Sequence, residues 1–149
     1  MKKYNVEDVL SSFSFSVPIQ VRFSDIDSYM HVNNGIFFNY FEHARASYLF
    51  EFCGWDILKT GTVVANVQID YRQPIHVMDK PTVYVKCIKI GKSSFILEQV
   101  VMGPTESGEV KIFAESETTM VAVDMDTMKP VPVPAEYAAK MLGESSKKA

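Results

Sequence analysis

Around positions 17–23 the chain alternates. Val17, Ile19, Val21 and Phe23 are apolar, and Gln20 and Arg22 between them are polar. A period of two predicts a half-buried β-strand. The period changes at Ile36. Phe37, Phe41, Ala44, Tyr48 and Phe52 recur at steps of four, three, four and four, which sets them on one face of a helix from Ile36 to about Phe52. Glu42, Arg45 and Glu51 fall off that stripe. Asn33 or Asn34 suits the N-cap, and Gly54 a left-handed C-cap. Alternation then returns, with Val63, Ala65, Val67, Ile69 and Tyr71 set against Asn66, Gln68, Asp70 and Arg72, until Gln73-Pro74 breaks it. Three more strand-like runs cover 82–90, 93–102 and 110–123, divided by a turn at Gly91-Lys92 and a polar loop at 103–108. A Pro-rich stretch, 130–134, precedes a short helix expected at 135–142, and 143–149 reads as a frayed tail.

Consecutive strands on short connections are antiparallel neighbours. The pattern is α+β: a curved antiparallel sheet of about five strands around one long, aromatic helix. A sheet this small leaves an open edge, and pairing edge to edge into a homo-oligomer is one remedy. The length, 149 residues, predicts a single domain over 1–149, with its core at about 15–125 and a C-terminal extension at 130–149.

Composition narrows the classes. At 47% apolar, with ten Phe and seven Tyr, the chain has enough to fill a core. A formal net charge of −3 offers no field for nucleic acid or an anionic membrane. No apolar run approaches the roughly 20 residues that span a bilayer. Met1 to Asp8 has the lysines of a signal peptide without its apolar core. A cytoplasmic protein is expected. Cys53 and Cys87 have no metal-like spacing and read as buried thiols. His31, His43 and His76 match no ligand motif, so neither metal nor cofactor is expected.

The densest chemistry lies in Asp25-Ile26-Asp27-Ser28-Tyr29-Met30-His31-Val32-Asn33-Asn34, where strand gives way to helix. Asp suits turns and Asn suits caps, but two carboxylates, an imidazole and two amides together point beyond local structure. A helix N-terminus carries unpaired N–H groups and partial positive charge, which suit a developing oxyanion. A carboxylate just upstream can attack a carbonyl or activate water, with His31 or Asn33 orienting it. This is the outline of an acyl-transfer site. A serine hydrolase is disfavoured, since no Gly-x-Ser-x-Gly elbow is present.

The run Val21-Arg22-Phe23-Ser24-Asp25-Ile26-Asp27, then His31-Val32-Asn33-Asn34, then Tyr40-Phe41-Glu42-His43-Ala44-Arg45, resembles the hotdog-fold acyl-CoA thioesterases, closest to the 4-hydroxybenzoyl-CoA thioesterase-like branch. The likeness spans about 15–125 in element order, and its specific motif 21–45. The resemblance implies that Asp27 is the catalytic carboxylate, as nucleophile or general base. It implies an oxyanion donor in the backbone N–H near Asn34 and Gly35, and places His31 and Asn33 where water or substrate is oriented. Glu42 is a second candidate carboxylate, since other hotdog branches carry theirs on the helix. It also reads as a surface residue paired with Arg45 or Arg72. Tyr29, Phe37, Phe38, Phe41 and Trp55 suit either an acyl pocket or core packing. Gly35 follows Asn34, and Phe37 or Phe38 stands where Tyr is common in the branch, which bears on the pocket.

The resemblance implies an acyl-CoA substrate and a homodimer or homotetramer. Two rivals are a hotdog hydratase or dehydratase pairing His31 with Glu42, and a non-catalytic acyl-CoA-binding module. The acyl group, CoA against acyl carrier protein, and the groups that bind the nucleotide (Arg72, Lys89 or Lys92) stay open.

Overall fold

A computed structural model describes residues 4–148, and the side chains of 4–143. The five strands are β1 (Phe15–Pro18), β2 (Thr60–Tyr71), β3 (Thr82–Ile90), β4 (Ser94–Pro104) and β5 (Val110–Asp124). They form one antiparallel sheet in the order β1-β3-β4-β5-β2. Because β1 and β2 lie at opposite edges, the chain between them must cross a face of the sheet. It carries α2 (Asn34–Ser47) and a π-helical continuation at Tyr48–Phe52. This is the hotdog arrangement expected from the pattern.

The aromatic stripe explains why α2 stays there. Phe37, Phe41, Ala44 and Tyr48 are buried against Val83, Val85, Phe95, Leu97 and Ala122 of the sheet. At about 1.5–3 kcal/mol for each large apolar side chain removed from water, this contact outweighs any intrinsic helix preference. Gly54 closes the element with φ +67, as expected of the C-cap. Cys53 and Cys87 are buried and unbridged, and burial pushes the Cys87 thiol up to about 11.

Four expectations need correction. The first strand covers Phe15–Pro18 and not 17–23. Pro18 has no N–H to give the ladder, and the chain leaves the sheet there. Ile19 and Val21 still pack on the core, but Phe23 is exposed and opens a 3₁₀ turn, Phe23–Asp25. Arg45, placed off the stripe, is buried and donates to Gln99 Oε1 at 3.3 Å, because α2 lies deep enough for its flank to meet β4. The 143–148 segment, read as frayed, continues the helix α3 (Ala135–Lys148). A lone glycine costs only about 1 kcal/mol inside a helix and does not stop one. The 131–141 part of the C-terminal extension also feeds the core. Tyr137 stacks on Trp55 at 4.5 Å, and Met141 is buried.

The fourth correction is α1 (Val6–Ser12), which the hydrophobic pattern left unassigned. Its signal was Asn5 with Asp8, a capping box in which each side chain takes the other's backbone N–H. α1 lays Val9 on the outer sheet face with Tyr4, Phe13, Val100, Met102 and Ile112. Beside them Tyr4 donates to the buried carboxylates of Glu98 and Glu115, and Arg72 pairs with Glu115.

Candidate functional site: a carboxylate turn at the start of α2

Residues 26–32 form a small hairpin. Ile26 bridges Val32. Asp27 N–H donates to His31 O at 2.8 Å, and Met30 N–H to Asp27 O at 3.0 Å. Ser28, Tyr29 and Met30 are therefore a three-residue loop, and such loops end in a residue with left-handed backbone. Met30 takes that place with φ 65. An L-residue costs about 1–2 kcal/mol there, so strain sits one residue from His31.

The Asp27 side chain makes the turn as well as riding on it. Its Oδ1 accepts from Tyr29 N–H at 2.9 Å and His31 N–H at 3.3 Å. Oδ2 makes no hydrogen bond among the described residues. One oxygen is thus a structural acceptor and the other is left for chemistry.

Asp25 has a different fate. It is 2% exposed. Its Oδ2 accepts from Tyr40 O–H at 2.6 Å and Arg22 N–H at 3.0 Å, and Arg22 Nη2 lies 3.4 Å from Oδ1. Its carbonyl accepts from Asn33 N–H at 3.0 Å. Burial, then the adjacent carboxylate, push the Tyr40 hydroxyl well above its ordinary value, so Tyr40 remains a neutral donor. Asp25 anchors the turn to α2, and the sequence reading missed that role.

At the helix start, Asn33 is the N-cap and its Oδ1 accepts from Gly35 N–H at 2.8 Å. Ile36 N–H reaches Asn33 O at 2.8 Å. A Cβ on Gly35 would meet Asn33 Oδ1 at 3.3 Å, so glycine suits this close cap. Of the two expected oxyanion donors, Gly35 N–H is therefore engaged. Asn34 N–H has no partner among the described residues. Asn34 O accepts from Tyr71 O–H at 2.9 Å, which pins the first turn of α2 to the end of β2.

The remaining candidates separate. Phe37 and Phe41 are core residues, as is Trp55. Phe38 is half-exposed, with the Arg45 guanidinium 5.9 Å from its ring centre. Tyr29 projects from the loop tip, 78% exposed. Glu42 is exposed on α2. Neither expected partner closes an ion pair with it: Arg45 feels its charge but turns inward to Gln99, and Arg72 turns to Glu115 and Tyr4 O. The His31 ring contacts His76, 4.7 Å between centres, and not Glu42. Among the described residues no cluster of three or more His, Cys, Asp or Glu is placed to hold a metal ion, and no helix is long and apolar enough to cross a membrane.

Known proteins resemble this chain in sequence and fold. Residues 21–141 match the model of the thioesterase-like superfamily. YsmA of Bacillus subtilis is 38% identical over 100 residues, covering 66% of this chain and 67% of that protein. The long-chain acyl-CoA thioesterase FadM of Escherichia coli is 29% identical over 135 residues, covering 83% and 93%. A thioesterase of Thermus thermophilus, solved with coenzyme A and Zn, is 30% identical with a TM-score of 0.76, covering 91% and 96%.

Proposed function

Because this chain belongs to the thioesterase-like superfamily, we propose that it is a thioester hydrolase acting on acyl-CoA, with the Asp27 turn and the first N–H of α2 as its centre. The observation that carries this reading is a carboxylate with one oxygen left free by its own turn, seven residues before a helix N-terminal N–H that has no partner among the described residues. The likeness to FadM and to the coenzyme A-bound Thermus thermophilus enzyme supports the substrate class.

In this mechanism the thioester oxygen takes the Asn34 N–H. There the helix dipole favours the negative charge that grows as the carbonyl becomes tetrahedral. Asp27 Oδ2 works from the other side. As a general base it removes a proton from water, whose oxygen bonds to the carbonyl carbon. The C–S bond then breaks, the thiolate takes up a proton, and acid and free CoA leave. As a nucleophile it forms an acyl anhydride with loss of the thiolate, and water then hydrolyses that anhydride. Both routes have the same balance, and ¹⁸O from water entering the Asp27 carboxyl in a single turnover marks the second. His31 serves through its backbone N–H on Asp27 Oδ1, and Asn33 by capping Gly35.

The site stands on a cytoplasmic, homodimeric protein in this account. A panel of short, medium, long and aromatic acyl-CoAs, followed by thiol release and acid formation, tests the function. Equal yields of thiol and acid from at least one member are expected. Tight binding with no thiol, or an enoyl thioester formed without thiol, would replace hydrolysis with sensing or dehydration.

A further inference from the structure

The turn that carries Asp27 does not stand alone. Its far side leans on the loop between β2 and β3. Val32 N–H donates to Ile75 O at 2.8 Å, and His31 bridges His76. The two imidazoles then meet edge to face, 4.7 Å apart at 90°.

His76 is itself fixed. Asp79, 6% exposed, accepts the His76 backbone N–H on Oδ2 at 2.8 Å, and that same oxygen lies 3.6 Å from His76 Nδ1. Asp79 Oδ1 takes Glu106 N–H at 3.2 Å, from the β4–β5 loop. A buried carboxylate thus orients an imidazole, and that imidazole bears on a second one. The backbone of this second residue holds the carboxylate proposed for catalysis.

Core packing does not account for the ring. The His76 side chain is 53% exposed, so it buries little apolar area. The backbone bridge and the Val32–Ile75 bond would join the two loops with any residue at 76. What the imidazole adds is a fixed surface against which the His31 ring, and hence the Asp27 turn, is set.

We infer that His76, held by Asp79, is a positioning residue for thioester hydrolysis, acting through His31 on the height of the Asp27 carboxylate over the start of α2. The inference rests on the reading of Asp27 as the catalytic carboxylate. Misplacing a reacting group by an ångström costs up to about a hundredfold, and a residue that acts on Asp27 alone changes the chemical step more than substrate binding.

The test is a double-mutant cycle in thiol release, with His76→Ala, His31→Ala, the pair, and Asp27→Asn alongside. His76→Ala is expected to lower kcat by between about tenfold and a hundredfold while KM stays within about twofold. In the His31→Ala background it should have no further effect, since the two act in series. His76→Phe keeps a ring against His31 and should recover most of the loss. It also serves where the alanine variant does not fold. Three results would overturn the inference. One is a His76→Ala kcat within about twofold of wild type. Another is the same factor lost again without His31. The third is a folded His76→Phe with the full loss. If instead Asp27→Asn retains activity, the reading of the centre fails, whatever His76 does.

Discussion

Two aspartates two residues apart share a residue type and have opposite environments. Asp25 is sealed by Tyr40 and Arg22, and Asp27 keeps one oxygen outside the turn it builds. Burial and partners, not residue type, assign one to structure and propose the other for chemistry. The same logic separates Gly35 N–H, already taken by Asn33, from Asn34 N–H. Asn34→Pro probes that difference cleanly. Asn34 is the first residue of α2, where proline is tolerated, and Asn33 at φ −58, ψ 137 has the extended backbone a following proline requires. The variant should fold with a near-normal melting temperature and lose about 10²–10³ in kcat, the usual effect of deleting one oxyanion donor. A normal kcat would move the oxyanion site elsewhere.

Among the elements, α2 was the most legible, because its aromatic stripe recurs at helical spacing and the structure buries that stripe. The strands from β2 to β5 were legible for the same reason. β1 was not, since a period of two continues past Pro18 while the ladder does not. α1 was missed because only Val9 of its seven residues is buried, leaving no stripe to read. In the site, the Asp27 turn and Asn33 cap were local and could be read from residue types. Tyr40, Tyr71, His76 and Asp79 come from distant parts of the chain, and one sequence carries no sign of which distant residues meet. Tyr40 also predicts a pH response. Its proton is held more tightly in the folded chain than in the unfolded one, so the stabilisation is complete below about pH 10 and is lost as pH rises above it. Tyr4 adds to the same trend. Unfolding free energies from denaturant titrations should fall above about pH 10, by up to about 1.4 kcal/mol per pH unit for each such tyrosine. Tyr40→Phe should lower stability at pH 7 by about 2 kcal/mol, for a hydrogen bond lost from a buried carboxylate, and should flatten that alkaline slope. An unchanged slope would mean that Tyr40 is not the group responsible.

For the whole molecule, the two sheet edges differ. β1 is four residues long and ends in proline, which blunts it against further pairing. β2 is twelve residues long and, among the described residues, pairs only with β5. A long, open edge of this kind is a template for another strand, so a second copy pairing there is expected. Light scattering should give twice the 16.8 kDa chain mass, and Val67→Pro, which removes an N–H from that edge because Arg72 N–H bonds Phe113 O and the ladder alternates, should shift the mass toward the monomer. A monomeric wild type would contradict this. The account as a whole depends on Asp27, and Asp27→Asn is the measurement that tests it most directly. Asparagine retains an oxygen for the Tyr29 and His31 N–H groups, so the turn should survive, as an unchanged melting temperature would verify. Thiol release from the best acyl-CoA, measured for wild type and variant side by side, should fall by about a hundredfold or more. A folded variant that hydrolyses at the wild-type rate would show that the chemistry is done elsewhere.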